Sequence, residues 1–409
     1  MSGSNLLFIL TGSVACYKAC DAVSRLVKFG HRVRVVATAS ALRFIGAPTL
    51  EGLTGSPVLS DLWAPGRALD HIELTRWADA VIVCPATAHT LNRFAAGLAD
   101  DLVGALFLAH DRTKPWLVAP AMNPAMWSHP ATQASVEKLR SWDIHFLPVG
   151  EGRTACGETG EGRLAEPDLI VATIEAALAR PARRLHVLIT SGGTAEPLDG
   201  VRVLTNSSTG RTGALLAEHF IRCGHEVVML RAEQSTAAPP LCRAENFTSF
   251  ADLDAALARL LGAEHFDTVL HAAAVSDFAI HSLFQEGVKQ PFSRTKIASG
   301  VPLRLELTPQ AKLVDQLRPR SRNPNITVVA FKLTQGVEAA LVLMEVQSLL
   351  AHSRADFVVH NDYTQRGEGM DAFPATIYSA EAHRLAQCAT RTELAAALER
   401  MLSAQPIQA

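Results

Sequence analysis

The chain has 409 residues, 48% hydrophobic and 19% charged, with a formal net charge of −2. This is the composition of a globular protein long enough for two domains, and the balanced charge argues against a nucleic-acid surface or a polybasic membrane patch. No apolar run reaches the roughly 18–20 residues of a membrane span, and seven scattered cysteines without metal-ligand pairing predict a reducing cytoplasm rather than a disulfide framework.

The opening MSGSNLLFILTGSVACYK reads as a first buried strand over 6–10, not as a secretory leader. A glycine turn and a helical pattern through Lys28 follow, then the strands HRVRVVAT, DAVIVCPAT and PWLVAPAM. Short continuous apolar runs alternating with helices predict a parallel sheet covered on both faces. A Pro/Arg-rich joint near 180–184 precedes a fresh strand over 185–190. After it come a helix near 211–223 and the strands HEVVMLRA, FDTVLHAAAV, NITVVAFKL and ADFVVHND. Both halves thus begin with strand, glycine turn, helix and a G-H-x-V strand, a shared architecture without a detectable repeat. The expected fold class is α/β: two doubly wound, mostly parallel-sheet, Rossmann-like domains, at 1–180 and 181–409.

Open α/β sheets bind ligands at the carboxyl ends of their strands, and in the first half four features collect there. LTGSVACYKA offers Gly12 for a tight turn and Ser13 at a helix start, which suits a phosphate but equally an ordinary turn. Pro85, Ala86 and Thr87 form a small-residue loop that would admit a flat ligand. Thr87 reads as a helix cap and the aspartates of GLADDL as a solvated turn. His71, in DHIELTRWAD, is either structural or functional. GEGRTACGETGEGRLAEP packs five glycines around Cys156 in a polar loop, an unusual setting for a core thiol. A fifth feature, VAPAMNPAMWSHP, sets the amide of Asn123 between two methionines in a proline-stiffened loop.

The order G-S-V-A-x-Y-K, H-I-E-L, P-A-T-A, P-A-M-N-x-x-M-W and A-C-G-E-x-G-x-G-R resembles the flavin-dependent cysteine decarboxylases over about residues 5 to 175. The resemblance is strongest to a bacterial bifunctional family of coenzyme A biosynthesis. Its members join phosphopantothenoylcysteine decarboxylase to phosphopantothenate–cysteine ligase. It implies FMN as cofactor, held by Gly12, Ser13, Thr38, Ser40, Pro85, Ala86, Thr87 and the backbone of Met122. It also implies oxidation of the substrate's cysteine moiety to a thioaldehyde, loss of carbon dioxide and reduction of the resulting enethiolate. Asn123 would hold the departing carboxylate, His71 would act in the oxidative step, and Cys156 would donate the final proton from a closing loop. His89 stands where the family often has Asn or Asp.

In the second half, ITSGGTAEPLDGVRVLTNSSTGRTG is the strongest signal. Gly192 and Gly193 end a strand, and Asn206, Ser207, Ser208 and Gly210 lead into a helix, as a phosphate cradle or as a well-capped helix. There is no Walker G-K-[ST] and no G-x-G-x-x-G. HAAAVSDF ends a strand with small residues and Asp277. Lys296, one of only eight lysines, lies in a predicted loop.

These match the ligase half of the same bifunctional family, over roughly 184–400. The resemblance implies that a carboxylate attacks CTP to give an acyl-cytidylate, which cysteine then displaces. Asn206 and Arg202 would hold the activated carboxylate and Lys296 would stabilise charge. Ala273, Asp277, Pro309 and Phe331 would line the nucleotide site, and Mg2+ would accompany the triphosphate. The substrates would be 4′-phosphopantothenate, cysteine and CTP, and the assembly trimeric flavin domains joined through dimeric ligase domains into a dodecamer. The chain departs from the family at KIAS (usually K-I-K-K), TPQA (usually N-P-D-I) and KLTQ (usually A-A-E-T), and has no lysine after Lys332. Lys332, Arg354 or Arg366 could supply that charge. ATP use, a degenerate ligase half behind an active decarboxylase, and a flavoprotein-like regulatory binding subunit are the competing expectations.

Overall fold

A computed structural model describes residues 3–153, 157–290, 296–297, 300, 302–365 and 371–404. The chain divides into two compact units, 1–179 and 180–409. No helix of the described residues is long and apolar enough to cross a membrane.

The first unit is built on five parallel strands: β1 (Asn5–Leu10), β2 (Arg32–Ala37), β3 (Ala80–Ala86), β4 (Trp116–Pro120) and β5 (His145–Phe146). Their order is β2-β1-β3-β4-β5, a doubly wound sheet whose direction of growth reverses beside β1. Side chains alternate across the sheet. Leu6, Phe8 and Leu10 enter one core with the helices Cys16–Lys28 and Pro167–Leu178. Leu7 and Ile9 enter the other with Ala88–Ala96 and Pro130–Arg140. Burial on both faces is why these strands read as unbroken apolar runs. The glycine-rich segment, expected as a loop, is an antiparallel pair, β6 (Gly150–Arg153) and β7 (Thr159–Arg163). Cys156 lies outside the described residues.

The second unit has a larger sheet. Its strands in chain order include β8 (His186–Ser191), β9 (Ala195–Pro197), β10 (Val203–Thr205), β11 (Glu226–Ala232), β12 (Arg243–Phe247) and β13 (Thr268–His271). There follow β14 (Phe278–Gln285), β15 (Val288–Gln290), β16 (Leu303–Pro309), β17 (Thr327–Thr334), β18 (Phe357–Asp362), β19 (Ala372–Ser379) and β20 (Arg384–Thr390). The main order is β12-β11-β8-β13-β17-β18-β19-β20, parallel up to β18 and antiparallel thereafter. A separate antiparallel sheet, β15-β14-β16, was not anticipated, because the polar alternation of LRLELTP buries little and resembles a loop.

The two units share a closing latch. In the first, His31 Nδ1 accepts from the Ser4 N–H at 3.1 Å and its Nε2 bonds Glu175 on the last helix. In the second, His225 Nδ1 accepts from Leu185 N–H at 3.2 Å, and its Nε2 reaches Glu399 Oε1 at 3.1 Å on the last helix, Arg391–Ser403. The histidine of each G-H-x-V motif therefore ties the entry to the first strand to the closing helix.

Helix Arg211–Arg222 lies so close to β8 that a Cβ at Gly213 would sit 2.4 Å from Ser191 Oγ and 2.5 Å from its Cβ. Ser191 Oγ is itself committed, donating to the Gly210 carbonyl at 2.8 Å. Ala is the better helix former by about 1 kcal/mol, but the overlap opposes it. Gly213→Ala is therefore expected to destabilise the second unit by about 1–2 kcal/mol net. A lower urea midpoint for that unit, with an unchanged transition for the first, checks this.

Candidate active sites

In the first unit the ends of β1, β2 and β3 enclose a cavity of about 460 Å3 at the point where strand order reverses. Its walls carry Gly12, Thr38, Ser40 and Thr87, four of the eight residues expected to hold a cofactor. The wall is braced by Thr11, which sequence reasoning passed over. Its Oγ1 donates to the Pro85 carbonyl at 2.7 Å and accepts from the Thr87 N–H at 3.1 Å, locking the β1 and β3 ends together. Thr87 also caps helix Ala88–Ala96. Arg93 and Asp101 line the same cavity. The two aspartates of GLADDL are not merely solvated: both pair with Arg93, and Asp101 also caps helix Leu102–Leu108 at 2.7 Å. Ser13, Pro85, Ala86 and Met122 are not on this wall; Ala86 is fully buried in the sheet.

Asn123 caps the short helix Pro124–Ser128, its Oδ1 accepting from the Ala125 N–H at 2.8 Å. That leaves the amide nitrogen directed elsewhere, and it donates to the carboxylate of Glu158. The glycine-rich pair reaches this loop because Gly162 has no side chain: its φ is +134°, and a Cβ would lie 2.5 Å from the Met122 carbonyl. Met122 N–H is spent on the Gly162 carbonyl at 2.9 Å, so its N–H is engaged within the chain. Met126, on the same short helix, lines the cavity. His71 lies within helix Asp70–Trp77, half-buried and off the cavity wall. Its Nδ1 is buried without a hydrogen-bond partner among the described residues.

In the second unit a cavity of about 560 Å3 opens at the ends of β13 and β17 beside the start of helix Arg211–Arg222. Asn206, Ala273, Asp277 and Phe331 line it, as expected. Asn206 Nδ2 donates to the Ala274 carbonyl at 3.0 Å, which orients the amide. Arg202, Lys296 and Pro309 are not on the wall. Arg202 is instead bound to Asp199, whose carboxylate also accepts from the N–H of Ile297 at 3.0 Å. Buried Asp199, missed from sequence, thereby ties the Arg202 turn to the segment beside Lys296. Its contacts with Arg202 and backbone N–H groups hold its carboxyl well below the usual carboxylate range.

The cations that do line the cavity are Arg211, Lys312, Lys332 and Arg391. Lys312 pairs with Asp277 at 2.5 Å and Lys332 with Glu345 at 2.6 Å. Arg391 stacks over Phe373 at 4.7 Å and donates to Thr212 Oγ1 at 3.1 Å. Of the replacement cations considered for the missing lysines, Lys332 is on the wall, Arg354 ends helix Ala339–Ser353 away from it, and Arg366 lies outside the described residues. Asn361 is 5% exposed and lines the cavity with an amide nitrogen that has no partner among the described residues. His271, buried, is pushed down to about 4 by that burial, so it faces the cavity as a neutral ring at neutral pH.

Two α/β units, each with a cavity at the carboxyl ends of its strands, define a two-site enzyme of the doubly wound class. Residues 1–179 match the family described as Flavoprotein, and 182–404 that described as DNA/pantothenate metabolism flavoprotein C-terminal domain. The Coenzyme A biosynthesis bifunctional protein CoaBC of Bacillus subtilis is 33% identical over 94% of this chain and 92% of its own length. That of Mycobacterium tuberculosis is 35% identical over 86% and 84%. A solved PPC decarboxylase mutant complexed with pantothenoylaminoethenethiol is 36% identical, with a TM-score of 0.39, covering 42% of this chain and 96% of its own. This chain belongs to the family of bifunctional coenzyme A biosynthesis proteins: a flavoprotein decarboxylase unit followed by a ligase unit.

Proposed function

We propose that the second unit joins cysteine to 4′-phosphopantothenate at the expense of CTP, and that the first decarboxylates the product to 4′-phosphopantetheine with FMN. The observation that carries this reading is the meeting of Gly12, Thr38, Ser40 and Thr87 on one cavity wall at the switch point of the first sheet. The hydroxyls suit a phosphorylated, hydroxylated ligand, and about 460 Å3 falls within the range of small-molecule sites, about 300–1,000 Å3. Ser13, at the turn into helix Cys16–Lys28, would offer its hydroxyl toward the phosphate, its own N–H being bound to the Thr11 carbonyl at 2.8 Å. FMN, when bound, supplies reversible two-electron chemistry at the cysteine moiety.

The residues of the chain do the rest. Asn123 grips the substrate carboxylate, for which its fixed amide is a ready donor. His71 brings an imidazole whose Nδ1 has no hydrogen-bond partner among the described residues, and Cys156 delivers the last proton. In the ligase unit, Asn206 holds the activated carboxylate while Arg211 and Arg391 offset the triphosphate charge. Arg202 and Lys296 act from the segment clipped by Asp199. The only carboxylates on the wall among the described residues, Asp277 and Glu345, are each paired with a lysine. Mg2+ would therefore be held mainly by phosphate oxygens. A trimeric flavin unit and dimeric ligase unit, and a cytoplasmic location, complete the reading.

Purified full-length protein is expected to be yellow, releasing FMN on denaturation, and to release pyrophosphate from CTP only when phosphopantothenate is present. No flavin absorbance and no uptake of added FMN would defeat the decarboxylase assignment. Pyrophosphate release with ATP alone would reassign the nucleotide, and release with neither would leave the second unit without the ligase role.

A further inference from the structure

The latch of the first unit needs only a histidine and a glutamate. The positions six and two before His31 hold Arg25 and Phe29, and Arg25 turns instead to Asp21 and Asp168. In the second unit the corresponding positions hold His219 and Cys223, and both lie near Glu399. The imidazole, thiol and carboxylate place their ligating atoms within 4.8 Å of one another, the one such His/Cys/Asp/Glu group among the described residues. Cys223 Sγ lies 3.6 Å from His219 Nε2. A sulfur and a nitrogen bound to one tetrahedral zinc at about 2.3 and 2.0–2.1 Å are separated by about 3.6 Å. The latch of the first unit stands without such a pair, so its presence in the second calls for another role.

We propose that His219, Cys223 and Glu399 form a binding site for a zinc-class divalent ion. Three elements meet there: helix Arg211–Arg222, the turn after it and helix Arg391–Ser403. Glu399 is already oriented. Its Oε1 accepts from His225 Nε2 at 3.1 Å and from Ser403 Oγ at 2.8 Å, leaving Oε2 for the ion. His225 cannot itself ligate through Nδ1, which is committed to the Leu185 N–H. A carboxylate buttressed by a histidine and a hydroxyl is the usual support of a metal ligand. One imidazole, one thiolate and one carboxylate favour zinc over magnesium or calcium, with water as the fourth ligand. All three side chains are half-buried, so an ion can enter. Binding releases the Cys223 thiol proton as the sulfur–metal bond forms. The ion would clamp the helix whose first residue, Arg391, lines the ligase cavity; none of the three ligands lines it.

The test uses full-length protein stripped with chelator and titrated with Co2+ alone. One Co2+ per chain is expected, with a thiolate-to-cobalt charge-transfer band and visible ligand-field bands of tetrahedral intensity, read as difference spectra against the flavin. The charge-transfer band should vanish in Cys223→Ser and persist in Cys156→Ser. Glu399→Gln should weaken binding at least about 10-fold. Saturating Zn2+ should raise the melting midpoint of wild type by about 5 °C and leave that of Cys223→Ser unmoved. Metal-free circular dichroism establishes that each variant is folded. Absence of Co2+ uptake, or uptake and spectra unchanged by Cys223→Ser, overturns the site.

Discussion

Asn123→Asp is expected to lower decarboxylation about 10²–10³-fold while leaving flavin bound, the scale of losing one preorganised donor to a developing charge. The substitution is chosen because it separates the two jobs of this side chain. Its Oδ1 caps helix Pro124–Ser128 by accepting from the Ala125 N–H at 2.8 Å. Asp caps as well as Asn does, so the helix start is kept, and the exposed contact with Glu158 is the one intrachain bond lost among those described. The amide nitrogen is what changes. It donates to the Glu158 carboxylate in this structure, which places it where a carboxylate can be accepted. Replacing it by a second oxyanion turns attraction into like-charge repulsion, opposing Glu158 and the substrate alike. Carbon dioxide release from phosphopantothenoylcysteine is the measurement, with nucleotide-dependent ligation by the same preparation as the internal control. Activity within a few-fold of wild type would remove Asn123 from the carboxylate role.

Asn206→Ala is the second large effect, an expected loss of about 10²-fold or more in amide formation with decarboxylation of supplied substrate untouched. Asn206 Nδ2 is held by the Ala274 carbonyl at 3.0 Å, so its second N–H and Oδ1 are fixed in direction before any ligand arrives. A donor fixed in advance loses little on binding, and its removal is felt most where charge builds up. The residue is exposed and outside every helix and strand, so the fold has little stake in it. Turnover with saturating nucleotide distinguishes the outcomes. A fall in kcat marks the activation step, whereas a rise in nucleotide KM alone would place Asn206 in ground-state binding and contradict the proposed role.

Much of this arrangement could be read along the chain, for a local reason. Strands buried on both faces must be apolar throughout, so β1, β3, β4 and β8 announce themselves as runs such as LLFIL and HVLIT. Loops that meet ligands need small or conformationally free residues, so GS, PAT, SGG and STG mark the strand ends. Asn123 stood out as an amide in a proline-stiffened loop, though its cap on helix Pro124–Ser128 is visible only in the structure. Harder to read were β14 and β16, whose polar faces resemble loop, and the pairing of β6 with β7, whose glycines mimic a flexible linker.

What the sequence by itself determined is therefore the order of elements, the division near residue 180 and the strand-end loops, each coded within a dozen neighbouring residues. Only the tertiary structure decided which side chains share a wall. Arg391 meets Thr212 across 179 positions, Asp199 clips Ile297 across 98, and each G-H-x-V histidine finds a glutamate on the last helix of its unit. Such partners are set by how helices stack on the sheet, a packing of whole elements that leaves no periodic trace in the chain between them.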